Sequence, residues 1–277
     1  MHYILKTDGT KEPFDPAKLK YSLERAGASA IASQEITHEV EDWMVKPVTT
    51  NAIYKKAFSL LRKKKEKAPL LHYSLRRSIA ELGPTGFPFE KFIAQIFRKK
   101  GYTVETGRMV QGKCVDHEVD VVAWNDKDLV LSEVKFHSEP GAKSDLKVAL
   151  YIDARFEDLK DAEVDTTDGK RKMTQGLLVT NTKFTLKAIQ YGTCGGVGMI
   201  GWNYPAQGNL HDLIFETKIH PVTCLPSLTT LEKQQIIAQG IVDCATFSQR
   251  KDVYTLIPSL ETKRKDIEED IELLCGC

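Results

Sequence analysis

Apolar positions over the first 82 residues recur mainly at helical spacing. A short strand is expected over Tyr3 to Lys6, followed by a turn at Asp8-Gly9. Pro13-Phe14-Asp15-Pro16 then opens a helix, with Asp15 as N-cap and Pro16 at its first position. Leu19, Leu23 and Ala26 form the stripe of that helix. Ile36, Val40 and Trp43 mark a second, and Ile53, Ala57, Leu60 and Leu61 a third, which starts after Thr49-Thr50. A last helix holds Tyr73 to Arg77. Gly83-Pro84-Thr85-Gly86 interrupts the pattern and sets a first boundary, giving a unit over 1–82.

Beyond it, Phe89, Phe92, Ile93, Ile96 and Phe97 form the inner face of a helix that runs to Lys100 and stops at Gly101. The period then falls to two. Tyr102 to Glu105 is one expected strand. Val115 to His137 forms two more, joined by a turn at Asn125-Asp126-Lys127-Asp128. In the second of these, Leu129, Leu131, Glu133, Lys135 and His137 share a face, and Val130, Val134 and Phe136 share the other. In the first, Glu118 and Asp120 oppose Val119 and Val121. A helix is expected over Lys143 to Leu159, with Leu146, Leu150, Ile152 and Phe156 among its apolar positions. A polar loop over Asp161 to Lys172, a strand over Leu177 to Thr180, a helix over Thr185 to Gln190 and a strand over Gly198 to Trp202 follow. The result is an α/β multidomain chain with a central α-β-β-β-α-β order over 83–202. In the remainder, 203–277, Thr230 is expected to cap a helix over Leu231 to Gln239 that ends at Gly240. Ile241-Val242 then lead into a second short helix. The charged segment from Glu261 to Leu274 is expected to face solvent or a partner.

Composition narrows the possibilities. A hydrophobic content of 42% suits a globular core, and a net charge of +1 means that any nucleic-acid face must be local. No stretch is long and apolar enough to span a membrane. The six cysteines, at 114, 194, 224, 244, 275 and 277, are scattered without Cys-x-x-Cys spacing, so a reduced, cytoplasmic protein is expected, with Cys275-Gly-Cys277 as a frayed tail.

The candidate chemistry lies in the hairpin. If it brings Asp120 beside Glu133, two carboxylates and the amine of Lys135 share one place, equipment for a hard divalent cation that activates water against a phosphodiester. Half-exposed hairpins also carry such charges as plain cross-strand ion pairs. Here, however, Glu133 and Lys135 continue a row begun by Leu129 and Leu131, where burial ends.

Asp120, followed about a dozen residues later by Glu133-Val134-Lys135, resembles the core motif of the PD-(D/E)xK, restriction-endonuclease-like superfamily. GFPFEKFIAQIFRKKGYTVET upstream is similar to the first helix and strand of its Mrr-type members, and GLLVTNTKFTLKAIQYG downstream to their fourth strand and second helix. The resemblance implies that Asp120, Glu133 and the carbonyl of Val134 bind Mg²⁺ or Mn²⁺. Lys135 orients the attacking water, and Glu90 completes the acidic set. His117, His137 and Gln175 are accessory candidates. The first unit resembles an ATP-cone in ILKTDGTKEPFDPAKLKYSLERAG, VTTNAI and HYSLRRSIAEL, which implies that Lys6, Glu12, Lys18 and Thr50 bind ATP or dATP. Thr7 stands where that family often has a second basic residue. The last part resembles a helix-hairpin-helix element, implying DNA contact, packing or oligomerisation. A Mg²⁺-dependent DNA endonuclease tuned by nucleotide is the expected function, in restriction, phage defence or repair, acting as a dimer or higher oligomer. The alternatives are a non-catalytic, nucleotide-sensing DNA-binding protein and an oligomeric scaffold.

Overall fold

A computed structural model describes residues 2–6, 9–139 and 141–275. Thr7, Asp8 and Cys277, which figure in the expectations above, lie outside the described residues. In the first unit the expected strand, β1 (Tyr3–Leu5), has two neighbours that the pattern did not announce. β2 (Lys11–Pro13) pairs with it antiparallel and β3 (Val48–Thr49) parallel, in the order β2-β1-β3. Asp15 caps α1 (Pro16–Arg25), accepting from the Ala17 N–H at 3.0 Å. Ser29 and Thr49 cap α2 (Ala30–Trp43) and α3 (Thr50–Lys63) in the same way. Leu19, Leu23, Ile36, Val40, Ile53 and Leu61 share one core. Trp43 is a correction: it is 37% exposed, because the helix ends there and the non-helical turn at Met44 carries Met44 inward instead. The last expected helix is split at Ser74 into α4 (Lys67–Tyr73) and α5 (Leu75–Ala80), where the Ser74 hydroxyl bonds back to the Leu71 carbonyl at 2.7 Å.

A five-stranded mixed sheet forms the centre, in the order β12-β10-β6-β5-β4. β4 (Thr103–Gln111), β5 (Asp116–Trp124) and β6 (Leu129–Lys135) run as an antiparallel meander. β10 (Gln175–Thr180) and β12 (Gly198–Ile200) continue the sheet parallel to β6. α6 (Phe87–Lys99) covers one face, with Phe89, Phe92 and Ile96 against Val121, Ala123, Val130 and Val179. α7 (Leu146–Leu159) and α8 (Leu186–Gly195) cover the other, with Ile152, Phe156 and Ala188 against Val122, Trp124, Leu131 and Leu178. A short parallel pair, β7 (Lys143–Ser144) and β11 (Lys183–Phe184), lies outside this sheet.

Three expectations are corrected in this region. Val119 and Val121 do not share a face: Val119 packs on the α7 side and Val121 on the α6 side. The alternation slips at Asp120, between the Thr106–Val121 and Arg108–Val119 pairs, where Gly107 adopts φ +62. Leu150 is 44% exposed, since the buried stripe of α7 is Ala149, Ile152, Phe156 and Leu159. The polar loop is a hairpin of β8 (Glu163–Thr166) and β9 (Gly169–Lys172), in which Val164 is buried and Lys170 Nζ lies 3.5 Å from Glu163 across the pair.

The last part is helical: α9 (Leu210–Thr217), α10 (Thr230–Ala238), α11 (Cys244–Gln249), α12 (Val253–Leu256) and α13 (Arg264–Cys275). Thr229, not Thr230, caps α10, in a reciprocal box with Glu232. α13 does not face solvent as expected, because Ile267, Ile271 and Leu274 pack into the core of this region. Three cysteines far apart in sequence, Cys224, Cys244 and Cys275, meet in that core, and burial together with hydrogen bonds to the other two pushes the Cys244 thiol up. The regions are tied together. Leu75, Ile79 and Leu82 share a cluster with Phe89 and Phe92, and the Arg25 guanidinium donates to Asn203 at 2.8 Å and Asp212 at 3.2 Å. Among the described residues no helix is long and apolar enough to cross a membrane.

Candidate active site

The β5–β6 ladder ends at the Val121–Ser132 pair. Just beyond it a side chain replaces the next backbone rung: the Val134 N–H donates to Asp120 Oδ2 at 2.7 Å. Asp120 is thereby fixed at the slip in β5, at the mouth of the opened ladder. Glu133, one residue before Val134, is only 1% exposed. Its Oε2 accepts from Arg155 of α7 at 2.9 Å and lies 4.0 Å from Lys135 Nζ, while its Oε1 is buried with no hydrogen-bond partner. The other arm of the Arg155 guanidinium donates to the Glu118 carbonyl. Glu90, in the first turn of α6, closes the group from the opposite face of the sheet.

The electrostatics record how near these acids stand. Burial, then the charge of Asp120, pushes Glu133 up to about 7, against the pull of Arg155 and Lys135. Burial, then Asp120 and Glu118, raises Glu90 to about 7 as well. Asp120 is raised by burial, a shift tempered by the Val134 N–H. Asp120 opposes the ionisation of both glutamates, and Glu133 keeps one bare buried oxygen. Among the described residues no group of three or more His, Cys, Asp or Glu side chains is disposed to hold a metal ion. Glu133 is instead paired with Arg155.

The accessory candidates separate. His117 turns to Asp158, with Nε2 2.8 Å from Oδ2. Asp158, which also accepts from the Cys114 and Val115 amides, is held at about 2, chiefly by that contact with His117. His137 sits beside the site but is spoken for: its N–H donates to Asn181 Oδ1 at 2.8 Å and its Nε2 lies 3.1 Å from Ser144 Oγ. Gln175 pairs with Val130, at the opposite end of β10 from Thr180, which pairs with Lys135, and so stands away from the carboxylates. Arg155 and Thr180 escaped the sequence reading. Arg155 had a signal: it lies three residues after Ile152 and four before Leu159, a charge set into a buried helical stripe.

On the first unit, Lys6 Nζ lies 2.6 Å from Glu12 Oε2 and Lys18 Nζ 3.7 Å from Asp15 Oδ2. Leu5 pairs with Lys11 on one side and Thr49 on the other, so Lys6, Glu12 and Thr50 gather at one end of the small sheet.

A helix-covered mixed sheet with an acidic cluster where its central hairpin opens, preceded by a small helical unit, defines a restriction-endonuclease-like core with a nucleotide-cone domain. Comparison agrees. The ATP cone domain family matches residues 2–81, and a restriction endonuclease family of the Mrr type matches residues 83–200. The chain belongs to the Mrr-type restriction-endonuclease-like family and carries an ATP-cone domain. An uncharacterized protein of Archaeoglobus fulgidus is 33% identical over 155 residues, 55% of this chain and 81% of that protein. The crystal structure of AF1548, a protein of unknown function, superposes with a TM-score of 0.55 at 28% identity, covering 70% of this chain and all of that one. The MspJI restriction endonuclease, solved with an oligonucleotide, matches 54% of this chain and 35% of its own at 15% identity and a TM-score of 0.32.

Proposed function

We propose that this protein hydrolyses DNA phosphodiester bonds with Mg²⁺ or Mn²⁺, and that ATP or dATP on the ATP-cone tunes the reaction, in restriction, phage defence or DNA repair. We take 1–82 as the regulatory unit, 83–202 as the catalytic unit and 203–277 as a unit for DNA contact or self-association. The observation that carries this reading is the meeting of Glu90, Asp120 and Glu133 beside Lys135 where the hairpin ladder opens. Asp120, Glu133 and the Val134 carbonyl would hold the cation, which supplies Lewis acidity and a more acidic water. The Val134 amide fixes Asp120 in advance. Lys135, with its amine at the edge of the acidic set, orients the attacking water and offsets negative charge growing on the phosphate oxygens. Glu90 adds a further oxygen. One site cuts one strand, so cleavage of a duplex calls for two copies related by two-fold symmetry.

The test is plasmid cleavage with Mg²⁺ or with EDTA, for the wild type, Asp120→Ala and Lys135→Ala. The expected result is cleavage that EDTA stops and that falls by about a hundredfold or more in each variant. One observation favours a second reading, a non-catalytic, nucleotide-sensing DNA-binding protein: Arg155 already engages Glu133. Salt-dependent DNA binding without cleavage under any of these conditions would move the conclusion there.

A further inference from the structure

We propose that the two units bind the phosphates of the nucleotide jointly: Lys143 and Lys183 of the catalytic core complete a cationic cluster begun by Lys6, Lys18 and Arg76 of the cone. This inference rests on the reading of the cone as a nucleotide site. It adds ligands from a domain that has no such role in that reading, and it supplies a route from nucleotide to catalytic site.

The first observation is the pairing of β7 with β11, which sets Lys143 directly beside Lys183. Both are exposed, and among the described residues neither has a carboxylate within ion-pair distance. Two unneutralised like charges side by side on a short strand pair are unfavourable on their own. The second observation is where the cone docks. Arg25, at the end of α1, bonds Asn203 and Asp212. Asn203 follows Trp202, whose N–H donates to the Thr182 carbonyl at 2.7 Å, and Lys183 is the next residue. Lys18 lies two turns earlier on the same helix. The third observation is electrostatic. After partial burial, the groups that lower the proton affinity of Lys183 are Arg76, Lys143, Lys6 and Lys18. Cations from two units thus converge, with Glu12 and Asp15 standing beside the two cone lysines. A convergence of this sign attracts a polyanion, and the triphosphate of the nucleotide has the matching charge and reach.

The same segment holds the catalytic strand. Three residues before Lys183, the Thr180 hydroxyl donates to the Lys135 carbonyl at 2.8 Å. Asn181 brackets His137 with two bonds, accepting from its N–H at 2.8 Å and donating to its carbonyl at 2.7 Å. Ser144, next to Lys143, lies 3.1 Å from the His137 ring. A phosphate drawn to Lys143 and Lys183 therefore acts on the backbone that positions Lys135.

The experiment measures ATP binding to the full chain by calorimetry for the wild type, Lys6→Ala, Lys183→Ala and Lys183→Arg, with thermal melts to confirm folding. It also measures acylation of Lys183 by an amine-reactive reagent in the wild type, with and without ATP. Lys183→Ala is expected to weaken ATP binding about tenfold, the contribution of one charge-assisted bond, and Lys183→Arg to restore most of it. ATP is expected to shield Lys183 from acylation. Unchanged ATP affinity in Lys183→Ala together with an unshielded Lys183 overturns the joint site. If Lys6→Ala still loses ATP in that case, the cone reading survives. A wild type that binds no ATP overturns both.

Discussion

Glu133 lies deep among apolar strands, faces an arginine, and still prefers its proton up to neutral pH. Its carboxyl and that of Glu90 are both raised to about 7, against an ordinary 4.5. The sign of the linkage follows. Between those values the folded protein holds protons that the unfolded chain has released, so the stability these groups contribute is full below about pH 4.5 and lost as pH rises through about 7. The metal-free protein should therefore lose stability from about pH 5 to about pH 8, and the loss should be smaller in Glu133→Gln, which keeps a neutral side chain throughout. Added Mg²⁺ should raise the melting temperature at about pH 8 and do little at about pH 5, because only ionised carboxylates bind it. Melting curves at the two pH values, with and without Mg²⁺, test both statements. An identical drop in Glu133→Gln, or a melt indifferent to Mg²⁺ at the higher pH, would refute the account of these two acids. Cleavage should follow the opposite slope and rise through neutrality as the cation site ionises.

At the scale of elements, the packing of α7 on the sheet decides where Arg155 can reach. Gly176 of β10 lies directly under the Phe156 ring, and a Cβ there would overlap it. Phe156 is 5% exposed and has no room to retreat. Gly176→Ala should cost about 1–3 kcal/mol, the usual range for overpacking. It should also disturb the neighbouring Arg155–Glu133 contact. A denaturant midpoint unchanged from the wild type would show that this face is loosely packed. How much of these elements was legible in the sequence follows from what each depends on. The β5–β6 hairpin was readable because its apolar rows alternate and Asn125 closes the turn, accepting from the Lys127 and Asp128 amides. The slip at Asp120 was not, because it arises opposite Gly107 on another strand. The β8–β9 hairpin was hidden because its strands are mostly charged, and charged residues look like a loop one strand at a time. Glu133 and Lys135 stood out as a row, with Asp120 on the strand before it. Arg155 comes from an element whose position over the sheet no local pattern fixes.

For the whole molecule, the question is by what contacts nucleotide on the cone would reach the acidic cluster. The two units share the Leu75–Ile79–Leu82 contact with α6, which is apolar and has no switch in it. Polar contacts of the cone with the last unit include Ser78–Thr223, Glu81–Lys233 and Lys67–Glu269, and a further one lies near the β7–β11 pair. Arg25 ties the end of α1 to Asn203 and Asp212, a few residues past β12, and Asp212 is itself organised by Asn209, whose amide donates to it at 2.7 Å. Removing the guanidinium should leave both units folded, since no core residue depends on it, yet free the helix that carries Lys18 from the strand pair that carries Lys183. Arg25→Ala is therefore expected to cleave plasmid at the wild-type rate without nucleotide and to lose most of any change that ATP produces. Its ATP affinity should fall by less than that of Lys6→Ala, because the cone keeps its own lysines. Cleavage rates with and without ATP, measured beside ATP affinity for both variants, decide the point. If Arg25→Ala responds to ATP as fully as the wild type, the signal travels through the other contacts of the cone, and the Arg25 clamp only sets where the cone rests.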